Sequence, residues 1–231
     1  MKDGVGSWYN EYLQPIFFDV VEKLGNSDVD MVFHHIAHSY IKNTVALLES
    51  ISGHLRSYPV AQGMRLLIEF ESDMDFLAKN PNNLPRLKKK VNKYRSDFID
   101  EKKSWKETII MSGNIHMIDD VSGEEVRTKD RVERVFDKDI YSFYCAYSHF
   151  NLYAICDDDE NVQSFGDIRK ANCQKASLIE YYPVILNKFI ESLNLVLGEE
   201  CSVTYDQESF RMKFEKLLNA IINAKLRSKN V

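Results

Sequence analysis

Tyr141, Cys145 and His149 recur every four residues in "YSFYCAYSHFN", a spacing that lines side chains along one helix face. A thiol and an imidazole one turn apart suit two chemistries: a thiolate activated by the imidazole, or two ligands of a metal. The first needs a cysteine near a helix start, where amide dipoles favour the thiolate, and Cys145 falls well inside the helical pattern. The second needs further ligands that the sequence does not nominate. Cys145 therefore reads as a small buried hydrophobe, and His149 is the residue of chemical interest.

Arg65 and Glu69, in "GMRLLIEFES", have the same spacing, so a cation and a carboxylate share one helix face. Left in solvent they would form an ion pair of small energetic value. Phe76 projects to roughly the same side, however, which argues against a fully solvated face. His34, His35 and His38 fall away from the apolar stripe of their helix, near Lys42 and Glu49. His34 and His38 could hold one edge of a metal, but His35 stands where an HExxH motif carries its glutamate. A solvated or interface face is the expectation, with no metal and no cofactor. The run "RLKKKVNKYR" supplies Lys88, Lys89, Lys90 and Arg95, a charged outer helix face or a set of phosphate contacts. No Gly-rich phosphate loop is present.

These residues must be positioned by helices. Gly and Pro are scarce, at 9 and 5 in 231 residues, which leaves too few turn formers for a strand-rich fold. The expected architecture is all-α: a single helical domain over residues 1–231, bundled from roughly six to eight helices. An N-terminal helix spans 1–25, a motif-bearing core 27–155 and C-terminal helices 164–231. Within the core, one helix runs from a Ser27 cap to about Ser52 and another from about Pro59 to the turn "NPNNLP". A charged helix then opens at Pro85. A loop over 113–130 has room for a small hairpin, and helical pattern resumes near Arg131. The last two helices run from about Asp167 to Leu197, across Pro183, and onward from a Thr204 cap in "TYDQ".

Net charge is −5, which argues against a surface built for long nucleic acid, so no DNA partner is expected. The N-terminus does not have the pattern of a signal peptide, and no stretch is apolar for the roughly 18–20 residues a membrane span needs. The four cysteines lack metal spacing and read as reduced thiols, so a cytoplasmic protein is expected.

"GMRLLIEFESDMDFL" and, about seventy residues later, "YSFYCAYSHFN" together resemble a largely uncharacterised family of bacterial helical proteins. That family carries an Arg-x-x-x-Glu helix beside a Tyr-x-x-x-Ser-x-x-x-His-x-Asn helix. The resemblance covers roughly residues 30 to 155 and places the family's residues on Arg65, Glu69, Tyr141, His149 and Asn151. The family's serine falls on Cys145, which removes a hydroxyl. More distantly the arrangement is similar to HEPN-type bundles, many of them metal-independent ribonucleases of toxin and phage-defence systems. Their arginine precedes a histidine by four to six intervening residues, and no histidine here has such an arginine.

Two functions stay open, with a helical metal site on His34 and His38 as a third. In the first, the resemblance implies a stress or phage-defence effector, working as a dimer on RNA. Arg65 contacts a phosphate, Glu69 orients Arg65 or His149, Tyr141 belongs to the site, His149 moves protons, and Asn151 and the basic run bind. In the second, the protein is a non-catalytic interaction or accessory module, and the same polar residues form a network that fixes helix packing.

Overall fold

The computed structural model describes residues 3–53, 57–89, 117–148 and 168–228. Its architecture is all-α, with one minimal sheet. The helices are α1 (Asp3–Trp8), α2 (Gln14–Gly25), α3 (Met31–Gly53), α4 (Ser57–Lys79), α5 (Thr128–Val135), α6 (Lys138–Ser148), α7 (Ile168–Leu197) and α8 (Gln207–Ser228). Residues 84–89 are also helical. Among the described residues, no helix is long and apolar enough to cross a membrane.

α4 is the central element: α3, α5, α6 and α7 all pack against it. Its sequence shows why, because Val60, Met64, Leu67 and Met74 bury one face while Ala61, Ile68, Phe76 and Leu77 bury others. A helix surrounded in this way must also enclose its polar residues, and Glu71 and Ser72 are fully buried. Close approach of α3 is helped by Gly63, where a Cβ would come within 3.2 Å of Leu47 Cδ1. From α3, Val32, Phe33, Tyr40, Leu47 and Ile51 are buried, the stripe its sequence spacing predicts.

Several helix ends differ from the sequence expectation, two of them through a competing cap. α3 starts at Met31, not Ser27, because the Asp30 carboxylate accepts the Val32 N–H at 3.0 Å. Ser27 instead donates to the Leu24 carbonyl at the end of α2. α8 is capped by Asp206, which accepts the Ser209 N–H at 3.0 Å, so the Thr204 cap is not used. The helical stretch expected from Arg131 begins at Thr128 and is two helices, broken where Phe136 turns extended. Asp137 restarts it by accepting the Asp139 N–H at 3.1 Å. The N-terminal helix is interrupted by a π turn over Tyr9–Leu13 just before Pro15, whose ring nitrogen cannot donate to the preceding turn.

The hairpin expected in the 113–130 loop forms as β1 (Met117–Ile118) antiparallel to β2 (Glu125–Val126). Its turn rests on Asp119 and on Gly123 at φ 73°, a conformation that suits glycine. Two strands of this length do not stand alone. The turn after α4 holds them: Asn83 accepts the Ile118 N–H and donates to the Ile118 carbonyl, both at 2.8 Å, and Asn80 accepts the Asp120 N–H at 2.8 Å. Asn83→Ala is therefore expected to cost roughly 1–3 kcal/mol in urea unfolding, because it removes the side-chain partner of the part-buried Ile118 backbone groups and of the buried Asn80 carbonyl. A change within error would mean the hairpin is held by other contacts.

Candidate functional site

Arg65 and Glu69 lie one turn apart on α4, and Tyr141 approaches them from α6. Glu69 Oε1 receives two hydrogen bonds, from Arg65 Nε at 2.8 Å and from the Tyr141 hydroxyl at 2.8 Å. The Arg65 guanidinium carbon sits 5.9 Å from the centre of the Tyr141 ring, so the cation also has an aromatic neighbour. Arg65 and Glu69 side chains are 28% and 22% exposed, and Tyr141 is buried. The pair is thus not the solvated surface ion pair that spacing alone allows. Packing of α6 on α4 covers it.

The electrostatics assign roles. Burial opposes the Arg65 charge, but the hydrogen bond and opposite charge of Glu69 outweigh it and raise its already high pKa. Burial first, and then the hydrogen bond to Glu69, hold the Tyr141 proton well above the ordinary phenol range. Tyr141 therefore keeps its proton and donates it in the hydrogen bond to Glu69. Cys145, one turn beyond Tyr141, is half-buried and packs against the core beside this group.

The other nominated residues are placed as follows. His149, Asn151, Lys90 and Arg95 lie outside the described residues. Lys88 is tied to Asp30 at the start of α3 at 2.7 Å, so it joins residues 84–89 to the bundle, while Lys89 is exposed. His34 is half-buried and His35 and His38 are exposed, on the outer side of α3. Among the described residues, no three His, Cys, Asp or Glu side chains gather as a metal would need.

Two polar clusters were not nominated from the sequence. In the first, Glu71 is fully buried, with its carboxyl accepting the Ser192 hydroxyl of α7 at 3.0 Å. It lines a cleft of about 340 Å³ between α4, α5 and α7, whose lining includes Asp75, Lys79, Arg134 and Lys188. Burial pushes the Glu71 carboxyl up to about 8, against the Ser192 hydrogen bond that favours the anion. In the second, Arg131 of α5 is 3% exposed and contacts Asp73 of α4 at 2.8 Å. A readable signal existed for Glu71: residues 60, 64, 67, 71 and 74 follow the four-three spacing of the apolar stripe, and only 71 is acidic.

No family model, no curated protein and no solved structure matches the chain.

Proposed function

We propose that the protein is a helical effector that engages an RNA phosphate through Arg65 and moves protons through His149, in bacterial stress or phage defence. The double tether on Glu69 is the observation that supports this reading. A guanidinium gripped at Nε by a carboxylate that is itself held by Tyr141 keeps one orientation. Such a pre-oriented cation can meet developing charge on a phosphate without reorganising first. Arg65 is permanently charged and Tyr141 keeps its proton, so neither can serve as the acid–base group. That task falls to His149, which the resemblance aligns with the family's histidine. No metal is required, and a dimer on RNA is the working form in this reading.

The same tether favours a second reading, a non-catalytic interaction or accessory module. A carboxylate satisfied by two donors across α4 and α6 already has the form of a structural polar network.

One experiment separates the two. Wild type, Arg65→Ala and His149→Ala are compared for cleavage of single-stranded RNA in a chelator and for melting temperature. In an effector, His149→Ala lowers the cleavage rate by roughly 10²–10⁴-fold while the fold is kept, and Arg65→Ala also loses rate. Wild-type protein that leaves RNA intact, with variants that melt early, supports the structural network instead.

A further inference from the structure

The hydroxyls of Tyr40, Thr44, Tyr182 and Tyr205 are buried and make no hydrogen bond of normal geometry among the described residues. Tyr40 and Thr44 lie one turn apart on α3, Tyr182 is on α7, and Tyr205 is in the segment joining α7 to α8. They share a neighbourhood. The Tyr40 ring stacks on Phe189 of α7 at 3.8 Å between centres. The Phe210 ring lies 6.1 Å from Tyr182 and 5.8 Å from Tyr205. Burial raises the proton affinity of all three phenols, and Tyr40 additionally feels Tyr182 and Tyr205. Thr44 is near enough to Tyr182 to ease its ionisation, yet the two oxygens do not form a hydrogen bond of normal geometry.

Buried hydroxyls are rarely left unpaired, because each forfeits its bonds to bulk water. Four of them left dry in one place would consume much of the net stability of a domain. Together they offer four donors and several lone pairs, and a buried water typically takes about three hydrogen bonds. We infer that Tyr40, Thr44, Tyr182 and Tyr205 line an internal hydration site, which holds roughly one or two water molecules between α3, α7 and the segment before α8. The site ties Tyr205, and with it the entry to α8, onto the core formed by α3 and α7. The fifth unpaired group, Trp8 Nε1, belongs to the N-terminal helix and is not needed for the site.

Two measurements test this. In a high-resolution crystal structure, water density should lie within hydrogen-bond distance of at least three of the four oxygens. Direct bonds among the hydroxyls, with no density between them, would overturn the inference. Tyr182→Phe removes one ligand of the water without creating a cavity, so the melting temperature should fall by roughly 2–4 °C. An unchanged or raised melting temperature would show that the hydroxyl sits dry, and would equally overturn it.

Discussion

Glu71→Gln is expected to leave stability nearly unchanged at pH 4–5 and to raise it by several kcal/mol at pH 8. The sign follows from where the proton is held. In the unfolded chain the carboxyl has its ordinary value of 4.5, and in the fold burial pushes it up to about 8. Below 4.5 both states are protonated, so folding loses nothing. Between 4.5 and 8 the unfolded chain releases a proton that the fold retains, and stability falls by about 1.4 kcal/mol per pH unit. Above 8 the loss is complete, on the order of 5 kcal/mol if the whole shift is realised.

The hydrogen bonds agree with a protonated Glu71. Ser192 donates to Oε1 at 3.0 Å, and Ser72 gives its one proton to the Ile68 carbonyl at 2.8 Å. That leaves Ser72 only a long 3.5 Å contact with Glu71 Oε2, too weak to hold an anion there. A glutamine keeps the acceptor for Ser192 and carries no charge to bury. The charged groups around Glu71 do not reverse the outcome, since Asp75 raises the carboxyl while Lys188 and Lys79 lower it by less than burial raises it. The measurement is chemical unfolding of both proteins from pH 4 to 9, read as the difference between them. A variant less stable than wild type at pH 8 would mean that Glu71 is ionised and paired, and the burial argument would fail.

What the sequence made legible was one-dimensional. Period and composition place the helices and their buried faces, as the stripes of α3 and α4 show. The same reading contains outliers: Thr44 on α3, Glu71 on α4 and Ser192 on α7 each occupy a stripe position with a polar group, and each is buried. A stripe can show that such a residue faces inward. It cannot show which helix meets it there, so the contact of Glu71 with Ser192 across 121 residues was out of reach. Arg65, Glu69 and Tyr141 were nominated because two short motifs have helical spacing, and the fold brings them together on one oxygen of Glu69. The starts of α3 at Asp30 and α8 at Asp206 differ from the sequence expectation for a local reason. Neighbouring Ser, Thr and Asp residues compete for the same cap, and only the backbone geometry selects one.

Arg131→Met should be the most damaging single change among the charged residues described, lowering stability by roughly 3–5 kcal/mol. Arg131 is 3% exposed, and its guanidinium is used on every side. Nε and Nη2 reach Asp73 Oδ1 at 2.9 and 2.8 Å, Nη1 donates to the Val126 carbonyl at 2.8 Å, and Nη2 to Thr128 Oγ1 at 3.2 Å. Its carbon also lies 5.8 Å from the Phe76 ring. One side chain therefore pins β2 and the start of α5 to the centre of α4. Methionine matches much of its apolar bulk but leaves Asp73 and the Val126 carbonyl without their partners. Burial already raises the Asp73 carboxyl against the pull of Arg131, and its side chain keeps 27% exposure, so protonation and water recover part of its loss and the cost sits toward the lower end of that range. Because the penalty comes from a stranded charge, the double change Arg131→Met with Asp73→Asn should recover a good part of it. Urea unfolding of the two singles and the double decides the point. Strictly additive losses would place the role of Arg131 in packing on Phe76 and not in its pairing with Asp73.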